Sequence, residues 1–362
     1  MQVHHLSHID LDGYGCQLVS KHFFKNIRFY NANYGKEVLA RLNAILNAIE
    51  HSPEARLESK FHCKTPEKYL ILITDLNLSP AESRYLQERV DTMRLGGKDI
   101  QISLLDHHIS GEESAKLFHW YYLDIHRCGT KITYETLLEI YPLISQADKD
   151  WLSPMVEMIN SVDIWKENGF GFEFGKVAMS MIATSNELNR FMFDVEHRDY
   201  KLDLLKRAKD YLSKEKGEIL FDNDVFRLKK IALGGDPDLA TMDNIASNAQ
   251  VNLLSNKKEQ CSLICGDKKG FLSYSMGGIS VLANLFLSKN PEFDFYMDVN
   301  PRGNVSLRAN GKCDVSAMSK EFFNGGGHKN ASGGKIEGFK ESFLYEDIKH
   351  QVEQIFQNPT QK

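Results

Sequence analysis

At 362 residues the chain exceeds what one hydrophobic core ordinarily serves, so two domains are expected. Its 42% hydrophobic and 26% charged residues exclude extended disorder. A formal net charge of −5 excludes the broad basic field that long nucleic-acid strands require, while leaving room for one locally held phosphate.

In chain order, the first half alternates short apolar runs with helical patterns. "VHHLSHI" reads as a strand leading into an apolar helix from Gly13 to Phe24, with His4 and His5 taken as strand residues. "IRFYNA" precedes "GKEVLARLNAILNAIE", whose Val38, Leu42, Ile45, Leu46 and Ile49 recur on one helical face. "KYLILIT" is followed by a helix that Ser79 caps and Pro80 opens. "DIQISLLD" and "WYYLDIH" complete the strands of this half. Strands apolar on both faces, separated by helices, predict a doubly wound, mainly parallel α/β sheet. Beyond "NSVDIW" and "GFGFEFGKVAMSMIATSN", the charged stretch "EHRDYKLDLLKRAKDYLSKEKGEIL" reads as a helical connector with a solvated face. A second, smaller α/β unit is expected from about Val225. In it "FRLKKIAL", "CSLIC" and "GFLSYSM" read as strands, "SVLANLFLS" as a helix, "FDFYMDV" and "NVSLRA" as a hairpin-like pair, and "DVSAMSKEFF" as a helix stopping at "NGGGH". The expected division is residues 1–190, a helical linker at 191–224, and a second domain at 225–345.

The acidic and imidazole residues cluster where these strands end. In "SHIDLDG", His8, Asp10 and Asp12 stand at alternate positions, which in extended chain throws all three to one side. Clustered carboxylates repel one another unless a cation lies between them. Each piece alone has a plainer reading: a solvated turn at Asp12 and Gly13, a cap or turn residue at Asp75 or Asp163. Their succession, "SHIDLDG", "ITD", "LLDHH" and "SVDIW", with the first three at strand ends that a parallel sheet brings to one edge, points to a joint site. Carboxylate and imidazole donors without thiolate suit Mn²⁺, with Mg²⁺, Co²⁺ or Fe²⁺ as substitutes. Two such ions would activate water for in-line displacement at phosphorus.

This ordered set, completed by "NGGGHKNASGG", resembles the DHH phosphoesterase superfamily carrying a DHHA1 domain, and is most similar to its bacterial short-oligoribonuclease (nanoRNase-type) branch. The resemblance runs from His8 to about Gly334. It implies a DHH domain and a smaller DHHA1 domain with a cleft between them. It further implies one ion on His8, Asp10 and Asp75, and a second on Asp12, Asp75, His107 and Asp163, with Asp75 shared. His108 is implied to bind or protonate the reacting phosphate, with Asp106 orienting its neighbours. Arg308, Gly325, Gly326, Gly327 and His328 are implied to bind substrate.

The function expected on this basis is a manganese-dependent exoribonuclease that cuts very short RNA, dinucleotides included, to nucleoside 5′-monophosphates with two metal ions. Alternatives are a phosphatase of 3′-phosphoadenosine 5′-phosphate, a cyclic-dinucleotide phosphodiesterase, or an inactive scaffold binding single-stranded nucleic acid. The six cysteines, Cys16, Cys63, Cys128, Cys261, Cys265 and Cys313, form no CxxC and predict reduced thiols, with Cys261 and Cys265 taken as two strand residues. With neither a leader-like N-terminus nor a long apolar run, a cytoplasmic protein without a membrane span is expected, and a homodimer is left open.

Overall fold

Five apolar runs within the first 123 residues pair into one sheet, with every neighbouring pair parallel. The computed structural model describes residues 1–52, 67–141 and 144–357; Cys63 lies outside them. In order come β1 (Gln2–Ser7), α1 (Leu11–Ser20), β2 (Ile27–Asn31), α2 (Lys36–Glu50), β3 (Lys68–Thr74), α3 (Pro80–Leu95), β4 (Asp99–Asp106), α4 (Glu112–Leu117) and β5 (Tyr121–Leu123). The sheet order is β2-β1-β3-β4-β5. Connections of fixed hand therefore leave β1 and β3 in opposite directions, and the order reverses between these two strands. That reversal opens a crevice at their carboxyl ends.

Register makes the crevice level. Ser7 of β1 pairs with Thr74 of β3, and Thr74 pairs with Leu105 of β4. The next residue on each chain is then His8, Asp75 or Asp106, so three chemically active side chains leave the sheet in one row. Behind them Leu6, Ile71, Ile73 and Leu104 are fully buried and pack on Val38, Leu42, Ile45 and Ile49 of α2 and Leu86 and Val90 of α3. Ser79 caps α3 in a reciprocal capping box with Glu82, and Pro80 is its first residue. The run "WYYLDIH" keeps only Tyr121–Leu123 as strand.

The chain continues through α5 (Gly129–Ile140), α6 (Gln146–Asp163), α7 (Phe172–Thr184), α8 (Asp194–Leu212) and α9 (Gly217–Ala232). "FRLKKIAL", expected as a strand, is helical and belongs to α9. Its apolar residues explain the correction: Phe221 and Leu228 are buried and Val225 is half-buried, a spacing of four and three that fits a helix and not a pleat. The stretch 191–224, expected as a linker, supplies α8 and the start of α9. The remaining elements are α10 (Met242–Ser255), α11 (Lys258–Cys261), β6 (Ser262–Cys265), β7 (Lys268–Tyr274), α12 (Ile279–Lys289), β8 (Phe295–Val299), β9 (Asn304–Ala309), α13 (Val315–Phe322), β10 (Gly326–His328), β11 (Ala331–Lys335) and α14 (Tyr345–Gln357). Of Cys261 and Cys265, only the second lies in a strand; the first ends α11.

Two compact units result: Met1–Ser185 with Lys201–Val225, and Asn186–Tyr200 with Phe226–Lys362. The second unit has a sheet of order β10-β11-β9-β8-β7-β6, in which β7 and β8 are parallel and the other pairs antiparallel. Phe271, Phe286, Phe293 and Tyr296 form its aromatic core, with Phe271 and Phe286 ring centroids 4.3 Å apart. "NGGGH", expected as a helix stop, ends α13 and then runs into the short strand β10.

Candidate functional site

His8, Asp10 and Asp12 converge, but not as an extended chain would bring them together. β1 ends at Ser7, Asp10 is the N-cap of α1 and accepts the Gly13 amide N–H at 3.0 Å, and Asp12 lies in the first helical turn. A strand, a tight turn and a helix thus fold the three side chains onto one spot. Gly13 is required there, since a Cβ would lie 2.3 Å from the His8 carbonyl oxygen. Asp12 is then pinned from a distant element: its carboxylate accepts the amide N–H groups of Gly129 at 2.6 Å and Thr130 at 2.8 Å, at the N-terminus of α5. The Thr130 hydroxyl donates to the Asp12 carbonyl at 2.8 Å.

Asp75 leaves β3 in the left-handed region, at φ 53°, a strained conformation for a residue other than glycine. It lies among both donor sets. His8 Nδ1 is 2.8 Å from Asp10 Oδ2 and 3.7 Å from Asp75 Oδ2. His107 Nε2 is 3.2 Å from Asp75 Oδ1, 3.5 Å from Asp163 Oδ2 and 3.6 Å from Asp12 Oδ2. Asp163 arrives not from a strand end but as the last residue of α6. His8 with Asp10 and Asp75, and Asp12 with His107 and Asp163, are two groups whose ligand atoms are close enough to share an ion.

Charge and burial in the cluster favour a cation. Burial, then the charges of Asp12 and Asp10, push the Asp75 carboxyl well above the usual carboxylate range. Burial and the same two neighbours push Asp163 up to about 9. Burial also pushes Asp10 upward, but the hydrogen bond and charge of His8 and the Gly13 amide outweigh it and bring Asp10 down to about 2. Asp75 Oδ2 and Asp163 Oδ2 are buried with no hydrogen-bond partner. Buried polar atoms left without partners are destabilising, and divalent cations held by these groups would satisfy both. The residues therefore fit metal ions, with hard oxygen and imidazole donors and no thiolate: Cys16 and Cys128 are nearby, but burial raises both thiols.

A second chain of contacts runs alongside. Tyr121 donates its hydroxyl to Asp106 Oδ2 at 2.8 Å, Asp106 Oδ1 meets His108 Nδ1 at 2.7 Å, and His108 Nε2 meets the Tyr34 hydroxyl at 2.8 Å. Burial lowers the His108 imidazole, yet the hydrogen bond and charge of fully buried Asp106 outweigh this and raise it. Tyr34 also packs its ring 4.2 Å from that of His8. Sequence reasoning passed over Tyr34, Tyr121 and the Gly129–Thr130 amides. Tyr34 was within reach: it follows β2 at the same carboxyl edge that singled out the acids. His4 and His5 stay in β1, where His5 bonds Ser20 and Thr74 at 2.7 and 2.8 Å.

In the second unit Arg308 pairs with Ala331 across β9 and β11, and Ala331 pairs with His328 across β11 and β10. Cross-strand partners share a face, so Arg308 and exposed His328 stand on one face with only an alanine methyl between them. The Arg308 guanidinium donates to Leu307 O at 2.9 Å and Ser280 Oγ at 3.1 Å. The three glycines differ. A Cβ on Gly325 would lie 1.9 Å from Gly333 O, and Gly327 has φ +146° with Ser332 against it, whereas Gly326 faces open space.

No protein-family model matches the chain. A 3′,5′-cyclic-nucleotide phosphodiesterase of Helicobacter pylori (strain ATCC 700392 / 26695) is 64% identical over 358 residues, 99% of each chain. The oligoribonuclease NrnB of Bacillus subtilis (strain 168) is 25% identical over 342 residues, 92% of this chain and 72% of that one. This chain belongs to the DHH/DHHA1 phosphoesterase superfamily. A crystal structure of an uncharacterized protein from Helicobacter pylori G27 matches the phosphoesterase with a TM-score of 0.91 and 64% identity, covering 99% of this chain and 100% of that one. The protein is accordingly a hydrolase of the phosphodiesterase type. Among the described residues, no helix is long and apolar enough to cross a membrane.

Proposed function

We propose that the protein hydrolyses the 3′,5′-phosphodiester of small nucleotides, with a 3′,5′-cyclic nucleotide as its preferred substrate and a nucleoside 5′-monophosphate as product. The observation that carries the reading is the buried, left-handed Asp75 lying among both donor sets, with His108 on Asp106 beside them. The full-length likeness to a protein named for cyclic-nucleotide hydrolysis supports the substrate.

In this reading His8, Asp10 and Asp75 hold one divalent ion and Asp12, Asp75, His107 and Asp163 the other, Mn²⁺ being the best fit. When bound, such ions lower the pKa of water and neutralise charge on the phosphoryl oxygens. The chain's own residues do the rest. Asp12, locked by the α5 amides, keeps its carboxylate in a fixed plane for the ion. Asp106 accepts from His108 Nδ1–H and so fixes the tautomer that leaves Nε2 facing out. With its proton affinity raised by Asp106, His108 is the group that gives a proton from Nε2 to the ribose 3′ oxygen. A water oxygen bonds to phosphorus as the bond from phosphorus to that 3′ oxygen breaks. Tyr34 yields its bond to Nε2 when the phosphate enters. Arg308 and His328, with the Gly325, Gly326 and Gly327 turn, are proposed to bind a further part of the substrate.

Hydrolysis of short oligoribonucleotides is a second reading, supported by the likeness to the oligoribonuclease NrnB. The Mn²⁺-loaded protein should be given a 3′,5′-cyclic nucleotide, a dinucleotide, longer RNAs and 3′-phosphoadenosine 5′-phosphate in parallel. The cyclic nucleotide is expected to show the highest kcat/KM. A dinucleotide ahead of it establishes the second reading, and turnover that is best on long RNA refutes both.

A further inference from the structure

Beside His108 the first unit has a cavity of about 430 Å³, within the range of small-ligand sites. Three turns at the carboxyl edge build it. Tyr34 and Gly35 come from the turn before α2, where Gly35 takes φ +81° and the Tyr34 ring stands 43% exposed. Asn77 comes from the turn between β3 and α3; its neighbours Leu76 and Leu78 are fully buried, so alternation turns the Asn77 amide outward. Ser110 comes from the single 3-10 turn Ile109–Gly111 that follows His108.

The lining has a definite chemistry. Tyr34 offers an aromatic wall, and Asn77 and Ser110 offer neutral donors and acceptors. Glu82 is also there; its Oε2 accepts both the amide and the hydroxyl of Ser79, which leaves Oε1 able to accept from a ligand. No Lys or Arg is among the described lining residues. Away from His108, a second phosphate brought here would meet the Glu82 carboxylate with no Lys or Arg to offset it. An uncharged group with a flat ring and several N–H or O–H donors meets complementary partners throughout.

We propose that this cavity is the nucleoside subsite: it holds the ribose and base attached to the phosphate that His108 faces. Tyr34 packs against the ring, and Asn77, Ser110 and Glu82 Oε1 hydrogen-bond its donors and acceptors. The proposal rests on the phosphodiesterase reading above and adds which part of the molecule supplies substrate preference. It also disfavours a substrate whose second phosphate would have to enter this space.

The test compares two substrates of the Mn²⁺-loaded full chain, a 3′,5′-cyclic nucleotide and bis(4-nitrophenyl) phosphate, which has no nucleoside. Asn77→Leu and Ser110→Leu, both at solvent-reached positions, should each lower the ratio of kcat/KM values, nucleotide over nitrophenyl diester, about tenfold. Adenosine should inhibit nitrophenyl diester hydrolysis competitively in the wild type, and about tenfold more weakly in Asn77→Leu. An unchanged ratio together with unchanged adenosine inhibition overturns the subsite. Absence of turnover of both substrates by the wild type sinks the phosphodiesterase reading alone. Calorimetric titration with adenosine 5′-monophosphate and ribose 5-phosphate then decides the subsite: tighter binding of the first, lost in Asn77→Leu, supports it, and equal binding removes it.

Discussion

In the parallel sheet of the first unit, His8, Asp75, Asp106, His107 and His108 stand at or just beyond the ends of β1, β3 and β4, whereas in the mixed sheet of the second unit Arg308 and His328 stand within β9 and β10. The difference follows from what covers each sheet. Helices pack against the parallel sheet, so its strands are largely buried and the ionisable groups that could meet a ligand gather at their ends. The antiparallel end of the other sheet keeps one row half exposed, and side chains in the middle of a strand can meet a ligand. The first arrangement gives depth and dry charge, which ions need; the second gives a shallow, rigid face suited to a polar or anionic group.

The sharpest way to break this comparison is Asp75→Asn. Activity should fall to background, and Mn²⁺ binding by calorimetry should weaken at both proposed ions, because Asp75 is the ligand proposed to be shared. Loss of one ion only would show that Asp75 serves a single set.

Tyr121→Phe removes the hydroxyl that fixes buried Asp106 and so loosens His108. A fall in kcat of about tenfold to a hundredfold is expected, with KM and metal affinity held, by analogy with other outer partners of reactive histidines. A KM effect alone would remove Tyr121 from the proton path. On the second unit's side, Arg308→Ala should raise KM about tenfold, equivalent to about 1.4 kcal/mol, and leave Mn²⁺ affinity alone. An unchanged KM would leave the shallow face without a role in binding.

The smallest effect is on stability. A carboxyl whose folded pKa exceeds its unfolded value keeps its proton in the folded state where the unfolded chain has lost it, so stability falls as pH rises through that window. In metal-free protein the window runs from the ordinary value of 3.8 to about 9 at Asp163, and from 3.8 to about 6 at Asp298 in the second unit, where burial is the main cause. Hydrogen exchange read peptide by peptide should therefore show the first unit loosening up to alkaline pH and the second only to mildly acid pH. Added Mn²⁺ should restore the first and leave the second as it was. Restoration of both, or of neither, contradicts the assignment of ions to the first unit.

How far the sequence could be read divides along the same line. Strand, turn and helix patterns placed Asp10, Asp75 and Asp106 at one edge, because parallel register and alternating burial are local consequences of composition. The succession of motifs singled out Asp163 and the resemblance gave it a ligand role, but strand-end geometry did not predict its place, since it ends a helix and not a strand. What stayed illegible depends on distant partners: the α5 amides that lock Asp12, the Tyr121 hydroxyl on Asp106, and the turn of Tyr34 onto His108. "FRLKKIAL" misled because a short apolar run fits either period until its helical neighbours are counted. The three glycines of "GGGH" looked alike, yet two are demanded by the packing of β10 and β11 and only Gly326 is free for other use.

The left-handed backbone at Asp75 has an evolutionary edge to it. Glycine or asparagine would sit there with less strain and without a buried carboxyl that resists ionising, so a library sorted for heat survival alone will enrich variants at this position that no longer turn over. Thermal selection and catalytic selection pull this codon in opposite directions, and lineages that drop the chemistry should show it here first.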